Sequence, residues 1–155
     1  MPQPTLLVAD DHPLFRAALI QVLRERYPQF RIVEAASAQT VGAAMQEHPE
    51  IELVLLDLAM PGARGFSSLL HLRGEYAQVP VIIISSNDAS RISRRAQQFG
   101  AAGFISKSAA AEDMSAAIDD VLDGDVSFPS MVAERSEADA TLAARLAQLT
   151  PQQFR

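Results

Sequence analysis

Five side chains of this 155-residue sequence stand where apolar runs end, and together they suit one chemistry. Asp10 and Asp11 follow Thr5-Leu6-Leu7-Val8-Ala9, and Asp57 closes Leu53-Val54-Leu55-Leu56. Ser85 closes Val81-Ile82-Ile83-Ile84, and Lys107 comes just after Gly103-Phe104-Ile105. Taken singly, each has an ordinary use as a helix cap, a turn residue or a solvated lysine. Taken together they do not: two carboxylates about 5 Å apart repel by roughly 3 kcal/mol at an effective dielectric near 20, so three together require a cation or a shifted pKa. Oxygen donors without cysteine favour a hard ion, and Mg2+ binds through few carboxylates and keeps waters that a phosphate can displace. Lys107 and the Ser85 hydroxyl would meet the remaining phosphoryl oxygens, because phosphoryl transfer asks for charge neutralisation more than covalent help. Asp57 is then the nucleophile, and its product an aspartyl phosphate.

Convergence of these residues depends on the elements that carry them. The chain alternates apolar runs with helix-period segments from Thr5 to Gly124. Strands are expected at 5–9, 31–36, 53–57, 79–84 and 102–105. Leu14, Phe15, Ala18, Leu19, Val22 and Leu23 mark the apolar face of a first helix, opened by Pro13 and stopped by Tyr27-Pro28. Helices follow at 38–46 and 66–72. A fourth buries Ile92, Ala96 and Phe99, shows Arg91, Arg94 and Arg95 on its other face, and stops at Gly100. A fifth carries Met114, Ala117, Ile118, Val121 and Leu122 up to Gly124. The uninterrupted apolarity of the strands implies burial on both faces, hence a parallel sheet, and right-handed crossovers bring the carboxyl ends of all its strands to one edge. Asp10, Asp11, Asp57, Ser85 and Lys107 should therefore meet there.

Composition narrows the function. The chain is 48% hydrophobic and 21% charged, with no apolar run of membrane-spanning length and no signal-peptide pattern at Met1-Pro2-Gln3-Pro4, so no membrane association and a cytoplasmic location are expected. A net charge of -6 argues against this chain alone gripping nucleic acid. His12, His48 and His71 fall in no metal-ligand spacing and read as surface or turn residues. A dinucleotide loop would need a glycine triplet after the first strand, and Asp10-Asp11 there would repel a flavin phosphate. An aspartyl-phosphate phosphotransferase would need a second acid/base carboxylate two residues beyond Asp57, where Ala59 stands. A module that interacts without phosphorylation is a further alternative, and the full set of acidic, hydroxyl and ammonium groups argues against it.

The motifs Val8-Ala9-Asp10-Asp11-His12-Pro13, Leu55-Leu56-Asp57-Leu58-Ala59-Met60-Pro61-Gly62, Ser85 and Gly103-Phe104-Ile105-Ser106-Lys107, in this order, resemble the receiver domain of bacterial two-component response regulators. The resemblance implies an α/β fold with a five-stranded doubly wound parallel sheet, flavodoxin-like, and a phosphoryl group received on Asp57 from a histidine kinase. It implies Mg2+ held by Asp10, Asp11, Asp57 and the backbone carbonyl of Ala59, phosphoryl contacts from Ser85 and Lys107, and a switch pair of Ser85 and Phe104. It also implies that the chain is a phosphoacceptor rather than an enzyme. Asp-Asp-His-Pro is further similar to the NarL/LuxR-type subgroup, in which a helix-turn-helix follows the receiver, activation favours a homodimer, and DNA is bound only through that second domain. The sequence departs from many receivers at Ser108, where they carry proline, and at Phe104, an aromatic without a hydroxyl. The expected organisation is a receiver unit at 4–125, a linker at 126–148 that includes a helix from about Ser136, and at 149–155 the opening of a helix-turn-helix domain that is cut off, with Thr150-Pro151-Gln152-Gln153 as its cap.

Overall fold

The computed structural model describes residues 3–62, 65–87 and 90–129. Five strands alternate with five helices in chain order: β1 (Thr5–Ala9), α1 (Pro13–Arg26), β2 (Arg31–Ala35), α2 (Ala38–Glu47), β3 (Ile51–Asp57), α3 (Ser67–Glu75), β4 (Val81–Ser85), α4 (Ser90–Gln98), β5 (Gly103–Ser106) and α5 (Ala111–Leu122). All pairings are parallel and the strand order is β2-β1-β3-β4-β5. The order reverses between β1 and β3, which opens a crevice beyond their carboxyl ends.

The sheet is covered on both faces, as the apolar strands require. Leu7, Ala9, Val54, Leu56, Ile83 and Phe104 point to the face packed by α2, α3 and α4. Leu6, Val8, Leu55, Ile82, Ile84 and Ile105 meet Leu19, Ile20 and Leu23 of α1 and Met114, Ile118 and Val121 of α5. One detail of α1 differs from the sequence expectation: Leu14 is 88% exposed while Ile20 is buried. Phe15 packs partly against the same cluster, so of the first-turn residues expected on the apolar face only Leu14 points away from the core. Among the described residues, no helix is long and apolar enough to cross a membrane.

Away from the site, α1 and α5 are tied by Arg26 and Tyr27, both of which donate to the Asp119 carboxylate. Burial pushes the Tyr27 hydroxyl well above the usual tyrosine range, and the hydrogen bond from Arg26 holds Asp119 below the usual carboxylate range.

The segment just beyond 125, where the sequence reading placed the start of a linker, lies against the sheet. Ser127 pairs in parallel with Gly103, its N–H donating to the Ala102 carbonyl at 2.9 Å while Phe104 N–H donates to the Ser127 carbonyl at 3.0 Å. Residues 126–129 thus lie along the free edge of β5, and Phe128, only 1% exposed, enters the same cluster as Phe104. Burial continues through Phe128, while Pro129 is exposed. The expected linker helix and the cap at Thr150 lie outside the described residues.

Close approach at this edge explains Gly103. A Cβ there would stand 3.0 Å from the Ser127 carbonyl oxygen and 3.3 Å from Ile82. Because one of these neighbours is backbone, Gly103→Ala should displace the strap and destabilise the fold by about 1–3 kcal/mol, measured by urea denaturation. An unchanged midpoint would show that the strap moves aside without cost.

Candidate functional site

Strand register decides which residues face one another. Val8 pairs with Leu55 and Ala9 with Leu56, so Asp10, one residue on, comes level with Asp57. Asp57 pairs with Ile84 and Ile84 with Ile105, so Lys107, two residues beyond Ile105, projects to the same face as Asp57. Parity alone therefore places Asp10, Asp57 and Lys107 together on the α1/α5 side of the sheet edge.

The side chains meet as the register requires. Asp10 is fully buried and Asp57 is 1% exposed. Lys107 Nζ lies 3.0 Å from Asp57 Oδ2 and 3.0 Å from Asp10 Oδ2. Its ammonium also sits 5.0 Å from the Phe15 ring centre, so an apolar face of α1 steers it. The other Asp57 oxygen, Oδ1, accepts the Ala59 N–H at 3.0 Å. Arg16 Nη1 donates to the Asp10 carbonyl at 2.5 Å, which anchors the acidic turn to α1.

Ser85 and Phe104 occupy the opposite face. Phe104 pairs with Ile83, two residues before Ser85, so the two are diagonal neighbours on adjacent strands. Ser85 Oγ accepts the Asn87 N–H at 3.0 Å, and the Ser85 carbonyl accepts the Lys107 N–H at 2.9 Å. The Phe104 ring is already inside, 3% exposed. At Ser108, where many receivers carry proline, the chain keeps a donor: Ser108 N–H donates to Ser106 Oγ at 3.2 Å.

Two features were not foreseen. His12, read as a surface or turn residue, brings Nδ1 to 2.6 Å from Lys107 Nζ, 3.2 Å from Asp10 Oδ1, 3.4 Å from Asp11 Oδ1 and 3.5 Å from Asp57 Oδ2. Its only sequence signal was adjacency to the acidic pair. The Arg91, Arg94 and Arg95 face of α4 is also not a uniformly solvated stripe, since the Arg95 guanidinium lies 5.7 Å from the centres of both Phe66 and Phe99.

The donor set suits a divalent cation. One ligand atom from each of Asp10, Asp11, His12 and Asp57 lies within 4.8 Å of the others. Asp10 Oδ2 and Asp11 Oδ1 are buried without a hydrogen bond, although Lys107 approaches Asp10 Oδ2 closely enough for an ion pair. The Lys107 ammonium partly neutralises Asp10 Oδ2 all the same, because Coulomb attraction at 3.0 Å does not depend on bond angle. Three carboxylates against one ammonium still leave two negative charges, which is compatible with Mg2+.

Comparison with known proteins agrees with this geometry. The family model of the response regulator receiver domain matches residues 6–119. The chain is 38% identical over 124 residues to the glycerol metabolism activator of Pseudomonas putida, covering 80% of this chain and 56% of that protein, so it spans little more than half the relative's length. It is 29% identical over 154 residues to the nitrate/nitrite response regulator protein NarL of Escherichia coli K12, covering 96% of this chain and 71% of that protein. The solved receiver domain of the putative response regulator NarL from Mycobacterium tuberculosis is 31% identical, with a TM-score of 0.68 over 79% of this chain and 99% of that one. A buried aspartate level with an acidic pair, faced by a lysine on a five-stranded parallel sheet, thus coincides with a family match over most of the chain: the protein belongs to the response regulator receiver domain family, among relatives of NarL/LuxR type.

Proposed function

We propose that the chain receives a phosphoryl group on Asp57 from the phosphohistidine of a histidine kinase, and that phosphorylation controls self-association and a DNA-binding output domain. The observation that carries this reading is the contact of Lys107 Nζ with Asp57 Oδ2 at 3.0 Å, inside a pocket that holds two more carboxylates. Ala59 N–H engages Oδ1, so Oδ2 is the oxygen left to attack phosphorus. It forms the new P–O bond while the bond from phosphorus to the donor breaks, and the leaving group departs with that electron pair. Asp10, Asp11, Asp57 and the Ala59 carbonyl would hold Mg2+, which when bound supplies positive charge to the phosphoryl oxygens. Lys107 supplies further charge from the opposite side, and the Ser85 hydroxyl completes the contacts to the transferred group. The protein acts on its own aspartate only, as a cytoplasmic signalling module.

Readout would pass through Ser85 and Phe104. In the present state Ser85 Oγ is held by Asn87 N–H and the Phe104 ring is buried. A phosphoryl oxygen on Asp57 would add a strong acceptor for the Ser85 O–H, and turning the hydroxyl toward it fixes the space over Phe104 and the surface between α4 and α5. A charge-assisted hydrogen bond contributes about 1.5–3 kcal/mol, which shifts a two-state equilibrium at least about tenfold but not from 1:99 to 99:1. Ser85→Ala should still accept a phosphoryl group yet lose most of the change in self-association, read by sedimentation with and without beryllofluoride and Mg2+. A mutant that associates like the wild type would remove Ser85 from the switch.

A further inference from the structure

We propose that the strap at 126–129 is the moving part through which the switch pair acts on the rest of the chain. The inference rests on the reading of Asp57 as phosphoacceptor with Ser85 and Phe104 as its readout, and it names the element that yields. Register sets the geometry. Gly103 pairs with Ser127 in parallel, so Phe128 comes level with Phe104, and period-two alternation puts the two rings on one face of the sheet. Both rings are buried in the same cluster. On its other side Phe104 pairs with Ile83, and Ser85 is the diagonal neighbour two residues further along β4. The Phe104 ring therefore stands between the hydroxyl that would meet the phosphoryl group and the ring of the strap.

The two flanks of Phe104 are not held equally. Ile83 is fully buried and paired on both sides, with Leu56 and with Phe104. Among the described residues the strap pairs through Ser127 alone, whose N–H donates to the Ala102 carbonyl and whose carbonyl accepts the Phe104 N–H. The next rung of a parallel ladder would bring an N–H from residue 129 to the Phe104 carbonyl, and Pro129 has none. Space is on the same side: a cavity of about 530 Å3 is lined by Phe104, Phe128, Ala109, Ala116 and Ala117, so a ring that shifts finds room there instead of a packed wall. Gly103 removes any cushion between the two backbones, since even a Cβ would stand 3.0 Å from the Ser127 carbonyl oxygen. When Ser85 turns toward a phosphoryl group, the Phe104 ring follows the space it leaves. The displacement passes to Phe128 and its one bridge, not to Ile83, and Pro129 carries it into residues 130–155.

Amide hydrogen exchange of the full chain, followed by NMR with and without beryllofluoride and Mg2+, tests this. Fluorine NMR of the bound beryllofluoride counts the adduct independently. In the adduct the Phe104 and Ser127 N–H groups should exchange about tenfold faster, while Leu56 and Ile83 in the central ladders keep their rates. Phe128→Leu keeps the backbone bridge but replaces the ring, so it should form the adduct as fully as the wild type and lose most of that acceleration. An adduct that leaves the Phe104 and Ser127 rates unchanged overturns the role of the strap and leaves Asp57 as acceptor. Equal acceleration at Leu56 and Ile83 is general loosening and overturns it too. A Phe128→Leu chain that responds like the wild type removes Phe128 as the ring that yields, and the absence of any adduct overturns both readings.

Discussion

Asp57→Asn should leave the fold intact and abolish acceptance of a phosphoryl group from an acyl phosphate. Asparagine keeps the volume of the side chain and an oxygen for the Ala59 N–H, but its second terminal atom is an amide nitrogen with no charge to share. At this position that atom is the one facing Lys107, so the variant loses the nucleophile and gains a donor directed at an ammonium. Burial magnifies the loss, because water cannot enter to replace the missing anion at a residue 1% exposed. Stability should not fall in parallel. Removing one of three crowded carboxylates relieves repulsion of roughly 3 kcal/mol per pair at most, so the urea midpoint should stay level or rise. Intact-mass spectrometry after incubation with acetyl phosphate reads the first effect, and an adduct formed at the wild-type rate would remove Asp57 as the acceptor.

Phe128→Ala should destabilise the domain by about 3–5 kcal/mol, the range for deleting a buried aromatic ring. Such a loss is a large share of the roughly 5–15 kcal/mol that holds a domain of this size together. The ring is 1% exposed and packs in the cluster that contains Phe104, while its backbone neighbour Ser127 is paired on both sides to the edge of β5. Truncation therefore leaves a cavity beneath the β5 edge that the strap cannot fill without breaking its own hydrogen bonds. Leu70→Ala is the control: with the side chain half exposed, the same removal of apolar atoms should cost well under about 1 kcal/mol. Urea denaturation of the two variants measures both. A cost for Phe128→Ala no larger than that for Leu70→Ala would show that residues 126–129 are an appendage after all.

Much of this architecture was legible because parallel strands buried on both faces read as unbroken apolar runs, and their ends are marked by polar residues. Asp57 was locatable in this way, and so were Asp10, Ser85 and Lys107. Which residues share a face was not read from the sequence: the register between β3, β4 and β5 puts Lys107 beside Asp57 and Ser85 on the opposite face. Features lacking periodicity were not legible. The strap at 126–129 pairs through one bridge and contains Pro129, so it carried no strand signal; the available hint was a large aromatic, Phe128, that would be costly to expose. His12 was missed because its partners come from β1, β3 and β5, and no spacing along the chain encodes that meeting. Arg95 looked like part of a charged stripe since helical periodicity shows the face of a residue, not the rings of Phe66 and Phe99 that its flexible stem can reach.

The central claim is that Asp57, in a cation-loaded pocket, is the residue that takes the phosphoryl group. Its most direct test is to incubate the wild-type chain with acetyl phosphate, with Mg2+ or with a chelator, and to locate the adduct by reduction with borohydride and peptide mass mapping. The account predicts a single modified residue, Asp57, formed with Mg2+ and reduced at least about tenfold without it. Modification at His12 or Ser85 instead, or an Asp57 adduct formed equally well in chelator, would contradict it.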